Sequence, residues 1–336
     1  MRRHRFQMSR FVFLVTSVLA TAFAQAAGFT PVDIPADHDG PALTGAVWTP
    51  CAKTAGPILL GRTVISAVKD CPLTEGRYVL IVISHGYGGS FLGHHDTAAA
   101  LADAGFVVAA INHSDDNYRI RGGTDDSVRA LATRTTDIRR LIDYMTGQWP
   151  RHAALVPDRV GFFGFSRGGY TGLVLTGADP DFRLLPPSPS SPCGRDAASD
   201  ACDRTRQQFR KLLDTPFEHD SRIKAAVIAD PLSMIFNAQG LRGVTVPIQL
   251  WASAHGGDGV TPEDVDRVRR GLPIPPDWHV AAHSAHFGFL PPCAPALRQA
   301  SPEICVDEPS FDRAAFHTEL NVQATRFLQR WLPLEP

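Results

Sequence analysis

Continuous apolar runs alternate with segments of helical periodicity over most of the chain. The runs at 78–83 and 106–111 are typical of strands that are buried on both faces of a sheet. We predict further strands in the apolar segment that ends at residue 165 and at 223–228, 247–251 and 278–282, with two edge strands before them at 29–36 and 42–49. Helices are predicted at 94–104, 127–149, 169–177, 264–272 and 311–332. Strands that alternate with helices indicate an α/β fold with a mostly parallel sheet.

The first 27 residues depart from this pattern. Basic residues precede an apolar segment at 11–20 that is too short to span a membrane comfortably, and Ala-x-Ala sequences follow at 22–24 and 24–26. We therefore predict that 1–27 is a signal peptide and that 28–336 is one large domain. The protein is then exported, to the periplasm or out of the cell, without a stable membrane anchor. An uncleaved N-terminal anchor is the alternative.

Residues 179–222 interrupt the alternation of strands and helices. This stretch contains a proline-rich segment at 186–192 and two cysteines, Cys193 and Cys202. Long loops inside compact domains are usually functional or disordered. We predict a lid-like insertion, and the alternative is a surface insertion without a role in the site.

Cysteine content and charge narrow the class of protein. The six cysteines fit an exported chain, and proximity in the sequence predicts the pairs Cys51–Cys71, Cys193–Cys202 and Cys293–Cys305. A mixture of free and paired thiols is the alternative. The formal net charge of −1 and the absence of a long basic run argue against a nucleic-acid partner. The chain has no Cys-x-x-Cys spacing of the kind that binds zinc, and we predict neither a metal nor a cofactor.

The strand that ends at Phe165 leads directly into a Gly-x-Ser-x-Gly motif, residues 164–168, and then into a helix of small residues. In this context the motif predicts a catalytic serine, Ser166, at a strained position at the tip of a tight turn. The turn directs the backbone N–H of Arg167 toward the position where an oxyanion would form. The alternative is a structural glycine–serine turn.

A serine nucleophile needs a base, and the base needs an acid that orients it. His286 follows the last predicted strand and is the candidate base, whereas the nearby His283 would point elsewhere. Two acids follow predicted strands downstream of the serine, Asp258 and Asp230. We prefer Asp258, because the glycines around it allow the loop to bend toward the histidine.

The glycine-rich loop after the 78–83 strand is the candidate source of the second oxyanion donor. The backbone amide of Tyr87 is our choice, with Gly86 second and a plain glycine-rich turn as the alternative. A His94-His95-Asp96 sequence opens the next helix. Adjacent helical residues point apart, so we interpret this sequence, and Asp115-Asp116 after the 106–111 strand, as hydrogen-bonded groups near the mouth of the site rather than a metal site.

These segments resemble the α/β-hydrolase superfamily, and within it the platelet-activating-factor-acetylhydrolase-like and dienelactone-hydrolase-like serine esterases. The resemblance lies in residues 84–89, 164–169 and 286–290, and it extends from about residue 28 to the C-terminus apart from 179–222. It implies Ser166 as nucleophile, His286 as base, and the Tyr87 and Arg167 amides as oxyanion donors. The acetylhydrolase pattern places the acid at Asp230 and the dienelactone-hydrolase-like pattern at Asp258. Dienelactone hydrolase itself has a cysteine nucleophile, so Ser166 argues against lactone specificity.

The sequence therefore predicts a serine carboxylic-ester hydrolase that acts through an acyl-enzyme on a small-molecule or lipid-like ester. An oligopeptidase-like serine peptidase is a second hypothesis, although it requires a propeller domain or an amine-binding site that the sequence does not display. A catalytically inactive binding protein with the same fold is a third.

Overall fold

The computed structural model describes residues 26–120, 127–184, 192–213, 217 and 219–333. Within these residues the strands are β1 (Ala26–Ile34), β2 (Leu43–Cys51), β3 (Gly56–Leu60), β4 (Thr63–Lys69), β5 (Tyr78–Ser84), β6 (Val107–Ile111), β7 (Leu155–Phe165), β8 (Ile223–Ala229), β9 (Ile248–Ser253) and β10 (Asp277–Ala281). The helices are α1 (His95–Asp103), α2 (Ser127–Gly147), α3 (Arg167–Leu175), α4 (Pro192–Arg195), α5 (Asp200–Leu213), α6 (Pro262–Gly271), α7 (Pro295–Ala300) and α8 (Arg313–Trp331).

The strands form one sheet in the order β10-β9-β8-β7-β5-β6-β2-β1-β4-β3. The six strands from β10 to β6 run parallel to one another, and β2 then joins β6 in the antiparallel direction. Every residue of β5 is buried, because helices cover both faces of this part of the sheet. Helices α2, α3 and α6 pack on one face, and α1 and α8 pack on the other. The prediction of a mostly parallel α/β sheet is confirmed.

The two strands predicted at the edge of the sheet are interior strands. A hairpin of β3 and β4, which the sequence analysis did not predict, extends the sheet beyond β1. Both of its strands are half-exposed, with Leu59 71% exposed, so they lack the full burial of the central strands. The tight turn between them uses Gly61 at φ +61°.

The three predicted disulfides are all present: Cys51–Cys71, Cys193–Cys202 and Cys293–Cys305. The insertion at 179–222 contains α4 and α5, where the sequence analysis predicted a loop. Helix α5 begins after Ser199, whose hydroxyl accepts the backbone N–H of Cys202 at 3.2 Å. Most of the proline-rich segment at 186–192 lies outside the described residues.

Most of the predicted signal peptide, 1–27, also lies outside the described residues. Residues 1–25 of the predicted signal peptide are outside the described part of the chain, and β1 begins at Ala26, where it pairs with Cys51. In the ranges given above, no helix combines the length and apolar character needed to cross a membrane.

Candidate active site

The predicted site residues meet at one edge of the sheet. Because β5, β7, β8 and β10 are parallel, the segments that follow them emerge at the same edge. These segments carry the glycine-rich loop after β5, Ser166 after β7, Asp230 after β8 and His286 after β10. Strand β7 lies between β5 and β8, so the serine is flanked by the loop on one side and by Asp230 on the other.

Ser166 occupies a sharp turn between β7 and α3. Its backbone has φ +56° and ψ −118°, a region that residues with side chains rarely adopt. Its N–H donates to the carbonyl oxygen of Ala229 at 3.0 Å, and its own carbonyl accepts the N–H of Leu232 at 3.0 Å. These two bonds tie the turn to the end of β8 and the segment after it, and they maintain the strained conformation.

The two glycines of the motif are required by close backbone contacts. A Cβ atom at Gly168 would overlap the carbonyl oxygen of Ser84, and one at Gly164 would overlap the carbonyl of Gly168. The turn therefore packs directly against the end of β5, where no side chain can be accommodated.

His286 and Asp230 form a buried pair. The distance from Nδ1 of His286 to Oδ2 of Asp230 is 2.7 Å, and the two residues are 1% and 0% exposed. An ionised carboxylate only accepts hydrogen bonds, so Nδ1 carries the hydrogen and Nε2 is left as the acceptor nitrogen of the neutral ring. Nε2 is buried and has no hydrogen-bond partner among the described residues. The imidazole packs against Phe165, the residue before the serine, with ring centroids 4.6 Å apart.

The structure does not bring Asp258 to this pair, and the preference for Asp258 is corrected. Asp258 and Gly259 are the exposed central residues of a tight turn closed by Gly257 and Val260. Their φ angles are +49° and +80°, as in a type I′ turn, for which Asp-Gly is a favoured sequence. The glycines that suggested a flexible acid loop instead form this turn, and on this geometry Asp230 is the candidate acid. His283, which the sequence analysis did not favour as the base, is exposed.

The glycine-rich loop after β5 lies beside Ser166. Gly86 and Gly89 close a turn through a 3.2 Å hydrogen bond, with Gly88 at φ +57°. A Cβ atom at Gly86 would lie 3.3 Å from the Cβ of Ser166. Tyr87, the next residue, is 56% exposed at the surface of the site. Arg167 is the first residue of α3, where a backbone N–H has no acceptor within the helix. Both predicted oxyanion donors thus belong to segments that adjoin the serine.

A buried arginine that the sequence analysis did not single out supports this loop. Arg134 in α2 donates to Oδ2 of Asp116 at 2.8 Å and to the carbonyl oxygen of His85. The other oxygen of Asp116 accepts the N–H of Gly88 at 2.8 Å, and Arg167 donates to Oδ2 at 3.1 Å. One carboxylate therefore joins the loop after β5 to α2 and to the nucleophile helix.

The carboxylate of Asp116 and the guanidinium groups of Arg134 and Arg167 stabilise one another's charges. Burial raises the pKa of Asp116, but the charges of Arg134 and Arg167 outweigh burial and hold the pKa below its usual range. Burial also lowers the pKa of Arg134 to about 10, which still leaves it protonated at neutral pH. The sequence analysis interpreted Asp116 as a hydrogen-bonded residue near the mouth of the site, but it did not identify the arginine partners, because they come from distant parts of the chain.

A second serine–histidine–aspartate arrangement lies beneath the loop. Ser84 Oγ is 2.8 Å from Nε2 of His113, and Nδ1 of His113 is 3.2 Å from Oδ2 of Asp137. All three residues are at most 2% exposed, so a substrate cannot reach the serine. Burial holds the pKa of His113 well below its usual range and raises the pKa of Asp137. These residues brace the end of β5, and Ser166, 5% exposed at the turn after β7, remains the nucleophile candidate.

Comparisons with known proteins agree with this architecture. A family model of platelet-activating factor acetylhydrolase, isoform II, matches residues 45–136, which include the glycine-rich loop but neither Ser166 nor His286. A search of curated protein sequences gave no significant match.

Two solved structures show the same fold. A ferulic acid esterase from Streptomyces cinnamoneus is similar with a TM-score of 0.61 and 18% identity, over 95% of this chain and 93% of that chain. Dienelactone hydrolase from Anabaena variabilis is similar with a TM-score of 0.52 and 14% identity, over 91% of this chain and 99% of that chain. The chain therefore has the α/β-hydrolase fold, as the resemblance implied.

Proposed function

We propose that the protein is an exported serine carboxylic-ester hydrolase that acts through an acyl-enzyme, with Ser166, His286 and Asp230 as its triad. One observation carries the proposal: Nε2 of His286 is buried and unpartnered, while Nδ1 is bonded to Asp230. A neutral histidine held in this tautomer is the base that a serine nucleophile requires. The strained backbone of Ser166, at the same edge of the sheet, supports the assignment of the nucleophile.

In the first half of the reaction, Oγ of Ser166 attacks the ester carbonyl carbon while Nε2 of His286 takes the hydroxyl proton. Asp230 stabilises the imidazolium that forms. The amides of Arg167 and Tyr87 donate to the negatively charged oxygen of the tetrahedral intermediate. The intermediate then collapses, the bond to the alcohol breaks, and the alcohol leaves with the proton from His286. Water then attacks the acyl-enzyme through the same steps, and the acid is released.

The proposed substrate is a small-molecule or lipid-like ester. Tyr87, in the loop next to Ser166, is 56% exposed, and its ring, which carries the guanidinium of Arg167 at 4.2 Å on one side, is available to contact such a group. The similar esterase from Streptomyces is named for ferulic acid, so esters of aromatic acids belong in the first substrate panel.

The insertion at 179–222 is proposed to act as a lid that selects substrates. Phe182, at its start, is fully buried and packs against Tyr170 of α3 with ring centroids 6.2 Å apart. Phe217, near its end, packs on Phe182 at 5.6 Å. Both ends of the insertion are therefore anchored next to the nucleophile helix, one helical turn beyond Ser166.

Export to the periplasm or the exterior is part of the proposal. It is supported by the basic and apolar pattern of residues 1–27 and by three disulfides, which persist in oxidising compartments. Detection of the mature N-terminus by mass spectrometry of the exported protein tests both the cleavage and the compartment.

A fluorophosphonate probe tests the nucleophile. We expect labelling of purified wild-type protein, with the adduct mapped to Ser166, and no labelling of Ser166→Ala. Hydrolysis of p-nitrophenyl acetate without hydrolysis of an aminoacyl p-nitroanilide would then separate the esterase from the oligopeptidase-like hypothesis. A folded protein that neither reacts with the probe nor hydrolyses any ester of a graded acyl series would instead be a binding protein.

A further inference from the structure

His317 and Asp96 form a second buried histidine–aspartate pair, behind the turn that carries His286. The distance from Nδ1 of His317 to Oδ2 of Asp96 is 2.6 Å, and His317 is 3% exposed. His317 belongs to α8 and Asp96 to the first turn of α1, so the pair joins the two helices on one face of the sheet.

The second ring nitrogen of His317 distinguishes this pair from the proposed catalytic one. Nε2 of His317 is 3.0 Å from the carbonyl oxygen of Gly288. A carboxylate oxygen and a carbonyl oxygen are both acceptors only, so each ring nitrogen must carry a hydrogen. Both contacts are hydrogen bonds when His317 is an imidazolium. In His286, by contrast, Nε2 faces no acceptor and is available to take a proton.

The carboxylate of Asp96 is suited to hold this cation. Burial raises the pKa of Asp96, but the hydrogen bond and charge of His317 outweigh burial and hold the pKa well below its usual range. Nδ2 of Asn321, one turn along α8, also donates to Oδ2 of Asp96 at 3.1 Å. The neighbouring His94 and His95 do not compete with His317 for the negative charge of Asp96. Burial lowers the pKa of each, that of His94 to about 3.

The acceptor of His317 lies in the short helical turn His286–Phe289. Gly288 is buried, and a Cβ atom there would overlap Oγ of Ser284 and lie 2.8 Å from the ring of Phe311. The turn therefore packs tightly, and its carbonyl has a fixed direction. At the other end of the turn, the N–H of His286 donates to the carbonyl of Gly256 at 2.8 Å.

We propose that His317, as an imidazolium held by Asp96, is a positioning residue that fixes the turn carrying His286. The proposal rests on the proposed function of His286 as the base of the reaction. His317 touches neither the substrate nor the reacting atoms in this scheme. It acts through the Gly288 carbonyl, two residues beyond the base.

The first test measures protonation directly in the wild-type protein. Two-bond ¹H–¹⁵N NMR correlations distinguish an imidazolium from a neutral ring, and the His317 signals are assigned in the wild-type protein by through-bond correlations to the backbone of residue 317. We expect both ring nitrogens of His317 to be protonated at neutral pH. A neutral ring with one protonated nitrogen overturns the proposal, whether or not the protein hydrolyses esters.

The second test measures the reaction. Glutamine at position 317 is uncharged and cannot donate to both acceptors in the histidine geometry. Misplacement of a catalytic group by about 1 Å can cost about 10²-fold in rate, so we expect kcat of His317→Gln to fall by about that factor with little change in KM. Fluorophosphonate labelling of Ser166 should slow in parallel. Asp96→Asn should change kcat in the same direction.

The matched control is another histidine–aspartate pair of the same chain. Nε2 of His279 in β10 lies 3.1 Å from Oδ1 of Asp277 but outside hydrogen-bond geometry, and its ring stacks on Trp251. We expect His279→Gln to keep the kcat of the wild type. If His317→Gln folds and also keeps that kcat, the proposal is wrong, and the NMR result decides it if this variant does not fold. If Ser166→Ala hydrolyses esters as fast as the wild type, the proposed function fails, and the NMR measurement still tests the charge of His317.

Discussion

Ser253 donates two hydrogen bonds to the carboxylate of Asp230, from its backbone N–H to Oδ1 and from its hydroxyl to Oδ2, each 2.8 Å long. Together with Nδ1 of His286, these donors fix the orientation of a fully buried carboxylate. The residue that ends β9 therefore positions the acid that follows β8. This arrangement is the reason for expecting the acid role at Asp230.

Replacing Asp230 with Asn should lower kcat by about 10⁴-fold, because an amide favours the wrong tautomer of the imidazole. Asp258→Asn should leave kcat unchanged, since Asp258 lies at an exposed turn. Steady-state kinetics on p-nitrophenyl acetate measures both variants, and thermal melts confirm that each is folded. A large loss of kcat in Asp258→Asn with normal activity in Asp230→Asn would reverse the assignment.

Ser166→Ala should abolish ester hydrolysis, with a loss of about 10⁶ in kcat as for other triad serines. Folding should persist, because the backbone bonds of residue 166 to Ala229 and Leu232 do not involve its side chain. Circular dichroism checks that the variant is folded. Steady-state hydrolysis of p-nitrophenyl acetate measures its activity. A folded Ser166→Ala protein that retains more than about a hundredth of wild-type kcat would exclude Ser166 as the nucleophile.

Gly168→Ala should destabilise the protein and remove activity even though Ser166 is retained. The added Cβ overlaps the carbonyl oxygen of Ser84, so the turn or the end of β5 must shift. Gly56→Ala is the matched control, since a Cβ atom at Gly56 meets nothing within 4 Å. Denaturant unfolding and fluorophosphonate labelling of both variants check the prediction. Equal stability and equal labelling of the two would show that the contact at Gly168 is unimportant.

His94→Phe should make the free energy of unfolding depend less on pH in the acid range. His94 is buried against Phe163 and Phe165, neither ring nitrogen has a partner among the described residues, and burial lowers its pKa to about 3. The unfolded state, with a histidine pKa of about 6.5, takes up a proton first, so stability is lost as the pH falls from about 6.5 toward 3. Phenylalanine removes this contribution and keeps the ring contacts.

The measurement is the free energy of unfolding at about pH 7.5 and about pH 4.5. The difference between the two values should be smaller in His94→Phe than in the wild type. An identical difference in the two proteins would show that His94 titrates in the folded state near its ordinary pKa.

Replacing residues 192–213 with a short glycine–serine linker should change KM and acyl preference, while the probe continues to label Ser166. The segment contains α4 and α5, and the replacement leaves the anchoring contact of Phe182 with Tyr170 in place. A panel of p-nitrophenyl esters of increasing acyl length, with esters of aromatic acids, measures the change. Unaltered selectivity across that panel would rule out a lid role for this segment.

Much of the fold follows from local patterns in the sequence. The central strands are long apolar runs because both of their faces are covered, and Ser166 is identifiable because a sharp turn needs glycines on both sides of it. The β3–β4 hairpin was not predicted because its strands are half-exposed and short. Helix α5 was not predicted because proline and cysteine residues just before it suggested an irregular loop.

The acid and the supporting network depend on information that the sequence does not display. Asp230 and Asp258 both follow strands, but Asp230 is fully buried in contact with His286, whereas Asp258 is exposed at a turn. Arg134 looks like any other helical arginine until Asp116 and the carbonyl of His85 are placed around it. Contacts between residues far apart in the chain have no local signature, so they require the structure.

The contact between Gly168 and the carbonyl of Ser84 has a consequence for how this chain would diverge over evolution. Because the glycines of the motif are required by backbone packing, a descendant that lost hydrolysis would still need them in order to fold. Ser166 is under no such constraint, since its side chain takes no part in the bonds that maintain the turn. Among descendants of this protein, the glycine pattern alone would mark ancestry, and loss of the serine would mark loss of the reaction.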